Sequence, residues 1–205
     1  MSRRETVLAK VRAAIATAQD PQVPRNYLRQ LPETGPPVLD LLVERISDYR
    51  AQVKVVDTDE LSRTIGAVLA EHGTHSVVVP HDIDAGWLTT VTCRVVRDHP
   101  GLAKADLDAI DAVVTASTVS IAVTGTIILD AGPAQGRRAI SLVPDLHVCV
   151  VRADSIVGTV PEAMARLNPR RPLTWVSGPS ATSDIELDRV EGVHGPRTLV
   201  VLVVR

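Results

Sequence analysis

The sequence predicts an α/β fold: a mostly parallel sheet covered by helices, preceded by an N-terminal helical extension. Valine-rich apolar runs of strand length alternate along the chain with segments of helical periodicity. Such continuous runs are typical of strands buried on both faces, as in parallel sheets with helices packed on either side. The chain contains no phenylalanine, two tryptophans and two tyrosines, so the predicted core is aliphatic.

The first 50 residues are predicted to form an extension of the main domain. Apolar side chains at helical spacing predict one helix over residues 4–19 and a second over residues 38–50. Between them, residues 20–37 hold five of the fourteen prolines and predict an extended linker that is either mobile or draped over a neighbour. The main α/β domain is therefore expected to span residues 51–205.

Helices and strands of this domain are predicted in alternation. A helix begins after the cap Asp57 and ends at Gly73. A short helical turn is predicted from Ser117, and a last helix begins at Pro161 after the cap Thr159. The predicted strands are residues 53–56, 76–79, 93–96, 112–115, 126–129, 146–151, 173–176 and 198–204.

Composition and charge exclude several classes of protein. Lysine and arginine number 22 against 24 acidic residues, a net charge of −2, so no broad basic surface for nucleic acid or anionic membrane is expected. No apolar run approaches the roughly 18 residues of a membrane span, and the N-terminus lacks the apolar core of a signal peptide. We therefore expect a soluble, cytoplasmic protein.

The cysteines and histidines give no metal-binding pattern. Cys93 and Cys149 are too few for the four thiolates of a typical iron–sulfur cluster and for a disulfide framework. The histidines show no His-x-x-x-His or His-Glu-x-x-His spacing, so no metal site is predicted. Gly-x-Gly-x-x-Gly and Gly-x-Ser-x-Gly are also absent, and with them the dinucleotide fingerprint and the usual nucleophile elbow.

Ligands of open α/β sheets usually bind beyond the carboxyl ends of the strands, which makes the loops after strands candidate sites. The first candidate is residues 177–186, Ser-Gly-Pro-Ser-Ala-Thr-Ser-Asp-Ile-Glu. Gly178 exposes backbone N–H groups, and Ser180 and Thr182 add short donors, a set that suits a carboxylate or phosphate. The alternative is a turn in which one of the hydroxyls caps a helix. The loop has no lysine or arginine, which disfavours a Walker-type nucleotide site.

Two further segments are candidates. In Thr124-Gly125-Thr126, the glycine lets the backbone and both hydroxyls approach a ligand closely; alternatively, it is a junction in which Gly125 takes a positive φ. This segment shares a pocket with the first candidate if the helical turn from Ser117 crosses to the same edge of the sheet. His194, between glycines, is a general acid/base candidate by residue type, whereas Gly195-Pro196 is equally well explained as a turn into the last strand.

Together these segments resemble a known family. Residues 177–186, followed by Gly-Val-His-Gly-Pro-Arg at 192–197 and a valine-rich terminal strand, closely resemble the C-terminal signature of the LutC/YkgG family of lactate utilization proteins. Residues 124–126 are similar to the family's Thr-Gly-Thr segment, and residues 138–147 to its Arg-x-x-Ser-Leu-x-Pro-Asp-x-His segment. The resemblance covers residues 50–205 in the same order.

The resemblance implies a fold like that of the NagB/RpiA/CoA-transferase superfamily. It also implies a role in oxidising L-lactate to pyruvate alongside two lactate-utilization partner proteins, one or both carrying iron–sulfur clusters. The cysteine count fits this division of labour, because this chain cannot hold a conventional cluster and any such cluster is expected on the partners. The chain itself is expected to bind no cofactor, and association into a homo-oligomer is left open.

Under this interpretation the protein is a component of a lactate-oxidising complex that binds a small carboxylate or serves in assembly. His194 is then the acid/base candidate. At Val123, family members usually show glutamate, so we name no catalytic carboxylate in that segment. The alternative is a stand-alone superfamily enzyme, such as a 5-formyltetrahydrofolate cyclo-ligase-like or acyl-CoA-handling protein. The residues expected to bind the carboxylate are Thr124, Gly125, Thr126, Gly178, Ser180 and Thr182.

Overall fold

Strands and helices alternate along the chain in the computed structural model, which describes residues 2–16, 22–32, 34–179 and 195–205. The strands are β1 (Gln52–Val56), β2 (Ser76–Val79), β3 (Arg94–Arg97), β4 (Ala112–Ala116), β5 (Val119–Ile121), β6 (Thr126–Leu129), β7 (Leu146–Arg152), β8 (Ile156–Val157), β9 (Thr174–Val176) and β10 (Thr198–Val204). The helices are α1 (Arg3–Ile15), α2 (Val38–Asp48), α3 (Leu61–Glu71), α4 (Lys104–Asp108) and α5 (Val160–Arg166). Short 3-10 helices lie at Thr58–Glu60, Ala85–Leu88 and Ala153–Ser155.

The central sheet has six parallel strands in the order β1-β10-β7-β4-β2-β3. Its interior strands come from the valine-rich runs, and β10 is buried at every position after Thr198. The predicted α/β class, with a mostly parallel sheet flanked by helices, is therefore confirmed. The strand bounds agree with the prediction for β2, β6 and β10 and differ by a residue or two elsewhere.

A second sheet of four strands, in the order β8-β5-β6-β9, packs on one face of the first. Its strands β6 and β9 were predicted, but the sheet that they form was not. Its β6 pairs antiparallel with both β5 and β9, whereas β5 and β8 are parallel. The predicted helical turn from Ser117 is wrong, because the chain runs into β5 there. Val119 and Ile121 are β-branched and both pack into one apolar cluster, as alternate residues of a strand do.

Alternate side chains of the central strands pack into separate aliphatic clusters on the two faces of the sheet. On one face, Val200 and Leu202 pack with Ile65 and Val68 of α3. On the other face, Val201 and Val203 pack among residues of the second sheet and α2. The core residues that α2 contributes to that face are Leu41, Leu42 and Ile46.

The N-terminal segments differ in how they contact this body. α1 has no buried residue and ends at Ile15, while the predicted helix extends to residue 19, beyond the described part. In the linker, the carbonyl of Arg29 accepts a hydrogen bond of 2.8 Å from Thr159 Oγ1, and Leu31 packs against the apolar cluster around α2. This part of the linker therefore lies on the domain, while the division of the chain at residue 50 remains a prediction. No helix in the described ranges is long and apolar enough to cross a membrane.

His147 is a core residue, with only 1% of its surface exposed. Its Nε2 lies 2.8 Å from the Oγ1 atom of Thr115 on the neighbouring strand β4. Burial lowers the pKa of His147 to about 4, which keeps the imidazole neutral in the folded protein at pH 7. The histidine of the segment 138–147 is therefore accounted for by packing between β4 and β7.

We predict that protonation of His147 in the unfolded chain destabilises the fold in mild acid. Below about pH 6.5 the unfolded chain binds a proton that the folded imidazole rejects until about pH 4. The free energy of unfolding should therefore fall by about 3 kcal/mol between these values. In His147→Gln, measured by urea unfolding across this range, that fall should largely disappear, although stability at pH 7 is lower. His75→Gln, at an exposed site, is the matched control; an unchanged slope in His147→Gln would contradict the assignment.

Candidate functional site

Three hydroxyl side chains from the two loops that the sequence singled out meet at the junction of β6 and β9. Thr126 Oγ1 lies 2.8 Å from Thr124 Oγ1 and 2.8 Å from Ser177 Oγ. We call Thr124, Thr126 and Ser177 the hydroxyl cluster. Thr126 is buried at its centre and Ser177 is exposed at its end. The two loops are thus brought together by this chain of hydrogen bonds.

The convergence has a different origin from the one expected. The sequence predicts a shared pocket only if a helical turn from Ser117 crosses one edge of a parallel sheet. Instead, β6 and β9 are antiparallel with Ile127 opposite Val176, so the start of β6 lies beside the end of β9. Antiparallel pairing in the second sheet therefore positions Thr126 next to Ser177.

Packing alone accounts for Gly125. It has φ +59°, and a Cβ atom there would lie 2.9 Å from the carbonyl carbon and the Cβ of Arg45 in α2. Glycine thus permits both the left-handed backbone and the close approach of the helix. At the neighbouring position, the backbone N–H of Val123 donates to the carbonyl of Gly158 at 3.1 Å and its side chain packs against apolar clusters. An apolar residue suits that position.

The other predicted site residues divide into two groups. Gly178 is described and has φ +88°, a conformation that favours glycine. Ser180, Thr182 and His194 lie outside the described residues. The structure therefore locates Thr124, Gly125, Thr126 and Gly178 of the predicted carboxylate site.

The hydroxyl cluster is a chain of hydrogen-bonded hydroxyl groups that ends at the protein surface. Each hydroxyl carries one proton and can also accept, so a chain of three leaves a donor or acceptor available at its exposed end, Ser177 Oγ. Polarisation along such a chain strengthens the terminal hydrogen bond. The same contacts also tie β6 to β9, so their presence is compatible with a purely structural role.

A second site, which the sequence did not reveal, is a cleft of about 510 Å³ at the carboxyl ends of β2 and β3. In the central sheet the chain leaves β2 toward β3 and leaves β4 toward β7, so the two connections diverge between neighbouring strands. Ligands of open α/β sheets bind at such switch points. The cleft is lined by residues 81–82 after β2, 98–100 after β3, residues of the loop 130–138, and Arg171.

Two arginines in the cleft are held by buried aspartates. Arg137 donates from Nε to both carboxylate oxygens of Asp98, at 3.1 and 3.0 Å, and from Nη2 at 2.6 Å. Arg171 Nη1 donates to Asp130 Oδ2 at 3.0 Å. Hydrogen bonding to Asp98 raises the pKa of Arg137. The guanidinium of Arg137 is thereby fixed in orientation through two nitrogens and that of Arg171 is held through one, and both remain partly exposed, at 38% and 46% of the side chain.

Asp130 organises the loop beneath these arginines. Its carboxylate also accepts from Thr118 Oγ1 at 2.6 Å and from the backbone N–H of Gly132 at 3.0 Å. Burial acts to raise the pKa of Asp130, but the hydrogen bonds from Thr118 and Arg171 outweigh it, and the pKa is lowered. Asp130 is therefore a charged anchor at neutral pH.

The loop 130–138 has an unusual backbone. Ala131 and Ala134 have φ values of +54° and +56°, and Gly136 has φ +68°. Left-handed alanine is strained and persists where surrounding contacts over-determine it, often at functional sites. Here the backbone N–H of Ala116, at the end of β4, donates to the carbonyl of Ala134 at 2.7 Å and fixes the loop over the switch point. The sequence signal that could have pointed to this loop is the presence of glycine and arginine directly after a buried strand.

The histidines, cysteines and carboxylates of the described ranges form no group of three or more that could hold a metal ion. Cys149 is buried and Cys93 is half-buried, and neither is in a disulfide. Burial raises the pKa of the Cys149 thiol to about 12, so it is protonated at neutral pH.

This chain is similar to known proteins both in sequence and in fold. Residues 39–204 match the family model of the LUD domain. A protein of Deinococcus radiodurans named lactate utilization protein C is 48% identical over 97% of this chain and 93% of its own length. One of the same name from Halalkalibacterium halodurans is 27% identical over 100% of this chain and 98% of its own length. The crystal structure of a DUF162 family protein from Deinococcus radiodurans has a TM-score of 0.70 and 46% identity, covering 82% of this chain and 96% of that one.

Removing the charge of Asp130 is expected to destabilise the protein at neutral pH. Asp130→Asn should lower the free energy of unfolding by about 2 kcal/mol, because hydrogen bonds to a buried carboxylate are weakened. Since the pKa of Asp130 is lowered on folding, this stabilisation is present above the unfolded value of about 3.9 and is lost as the pH falls through the folded pKa. The difference between wild type and variant, measured by denaturant unfolding, should therefore close below about pH 4.

Asp82→Asn is the matched control. Asp82 lines the same cleft, is exposed, and has no hydrogen bond to another described residue. It should leave stability unchanged across the range, and an equal effect of the two substitutions would contradict the anchoring role of Asp130.

Proposed function

The chain belongs to the LUD domain family, and on that basis we propose that it acts in lactate utilization, as a component of a system that oxidises L-lactate to pyruvate. The observation that carries the proposal is its relation, over nearly its full length, to a protein named lactate utilization protein C. The family model also covers every strand of the central sheet. The proposal thus rests on the whole domain rather than on one short motif.

Oxidation of L-lactate converts its C–OH group to a carbonyl and releases an electron pair and protons, which an acceptor must take. We assign the acceptor to iron–sulfur clusters on one or both of two partner proteins. With two cysteines, this chain cannot ligate a conventional four-thiolate cluster. Cys149 is also buried, so one of the two thiols is not accessible to a cluster. In this scheme the chain binds the small carboxylate or holds the complex together, and the electrons leave through its partners.

The hydroxyl cluster is the proposed binding site for the carboxylate of L-lactate. Its support is the contact between Thr126 and Ser177, which joins the Thr-Gly-Thr segment to the loop containing Gly178. In the proposal, hydroxyl and backbone N–H donors of the two loops, Ser180 and Thr182 included, bind the carboxylate. His194 serves as the acid/base group that exchanges a proton with the lactate hydroxyl.

A growth experiment tests the role in lactate utilization. Deletion of the gene in its own host should abolish or strongly reduce growth on L-lactate as the carbon source. Growth on pyruvate should be unchanged, because pyruvate enters after the oxidation step. Growth rates of the deletion strain and of the complemented strain measure the effect. Equal growth on L-lactate with and without the gene would overturn the proposal, and loss of growth on both carbon sources would contradict a role specific to lactate.

Substitution at the exposed end of the hydroxyl cluster tests carboxylate binding separately. Ser177→Ala should reduce the rise in melting temperature that L-lactate gives the purified protein, while the melting temperature without ligand stays nearly the same. An exposed hydroxyl contributes little to folding, and Thr126 keeps its contact with Thr124. The measurement is a thermal melt with L-lactate, with sodium chloride at equal ionic strength as the reference.

Ser47→Ala is the control, because this exposed serine hydroxyl donates to the carbonyl of Val43 within α2 and not to the hydroxyl cluster. It should leave the L-lactate response intact. A purely structural cluster predicts the reverse result for Ser177→Ala: a lower melting temperature with an unchanged ligand response. No response of the wild type to L-lactate would favour the assembly role over carboxylate binding by this chain.

A further inference from the structure

We propose that the cleft at the switch point binds an organic phosphate of nucleotide size, as a second ligand site distinct from the hydroxyl cluster. This goes beyond the proposed role in lactate utilization. The two sites lie at opposite ends of β6, because Thr126 begins that strand and Asp130 follows its end. Along a strand this separation is about 13 Å.

The size of the cleft argues for a ligand much larger than a three-carbon acid. Its volume of about 510 Å³ lies within the range of roughly 300–1,000 Å³ that is typical of sites for drug-sized ligands and cofactors. It lies beyond the carboxyl ends of β2 and β3, the side of the sheet on which open α/β folds bind such ligands. L-lactate would leave most of the space to water.

The arginines supply the donors that a phosphate group requires. Arg171 uses Nη1 for Asp130, which leaves Nε and Nη2 without a partner among the residues that the structure describes. Arg137 donates from Nε and Nη2 to Asp98, and Nη2 also donates to the carbonyl of Leu102 at 3.2 Å. Nη1 of Arg137 therefore has no partner among the residues that the structure describes. Guanidinium N–H groups in a fixed orientation match the oxygens of a phosphate.

The charged side chains that line the cleft are two arginines and two aspartates: Arg137, Arg171, Asp82 and Asp98. Asp98 is buried and paired with Arg137, and Asp130, which is also buried, is paired with Arg171. The exposed imidazoles of His81 and His99 add further polar groups at the rim. The exposed charged groups of the lining are therefore the two guanidinium groups and the carboxylate of Asp82.

Apolar and small residues complete the cleft. Pro100 and Pro133 line it with flat apolar surface, which suits the ring system of a nucleotide. Gly132 keeps space open for Arg171, because a Cβ atom there would lie 2.9 Å from Arg171 Nη1 and 2.6 Å from Asp130 Oδ1. A side chain at Gly132 would thus displace the guanidinium from its present position.

Calorimetric titration of the full chain with ADP, pyrophosphate and adenosine tests the proposal. We expect ADP to bind with a Kd below about 1 mM, pyrophosphate to bind more weakly, and adenosine not to bind in the same range. Binding of pyrophosphate as tight as that of ADP would overturn the nucleotide-sized ligand. No binding of ADP would overturn the site altogether.

Two variants and one control locate the binding. Arg171→Gln should weaken ADP binding at least about tenfold, and it should fold because Asp130 keeps its bonds from Thr118 and Gly132. Gly132→Ala, which displaces the same guanidinium, should weaken binding in the same direction. The control is Arg152→Gln, since Arg152 forms a similar pair with Asp154 outside the cleft lining. Unchanged affinity in Arg171→Gln, or an equal loss in Arg152→Gln, would overturn the proposal.

Discussion

The burial of β7 and β10 on both faces is the constraint on which the rest of the structure depends. Valine and leucine point alternately to either side of β10, so each face of the central sheet needs an apolar cover. On one face α3 supplies it. On the other face the second sheet and α2 supply it together, which carries β6 and β9 across the central strands. Both candidate sites follow, since β6 brings Thr126 to Ser177 at one end and leads into the loop over the switch point at the other.

The interior of the central sheet could be predicted from the sequence because its signal is local. Runs such as Ser76–Val79 and Thr198–Val204 are apolar at nearly every position, and no partner need be known to recognise a buried strand. The second sheet could not be predicted in this way. Its strands β5 and β8 have three and two residues, too few to show periodicity. The pairing of β6 with β9 joins Ile127 to Val176, and nothing in either segment specifies the other.

The same distinction separates the two candidate sites. Thr124, Gly125, Thr126 and Gly178 could be proposed from the sequence because each lies in a short segment with a recognisable composition. The cleft was missed because its side chains come from separate loops that only the sheet order brings together. Its most informative local feature, the left-handed backbone at Ala131 and Ala134, has no sequence signature, since alanine rarely has a positive φ. Gly125 is the opposite case. Composition alone allowed this glycine as a ligand contact, whereas in the structure its close contact with Arg45 accounts for it.

The buried aspartates connect folding to the chemistry available in the cleft. A free arginine side chain loses roughly 2 kcal/mol of rotamer freedom when it is fixed on a ligand. In Arg137 and Arg171 part of that ordering occurs on folding, because Asp98 and Asp130 are almost fully buried and each binds its guanidinium. The two anchors differ, since Asp98 binds Arg137 through two nitrogens whereas Asp130 binds Arg171 through one. Arg171 therefore keeps more donors and more freedom to adjust, while Arg137 is the more rigid. The carboxylate that binds each arginine thus determines which of its N–H groups remain without a partner among the described residues.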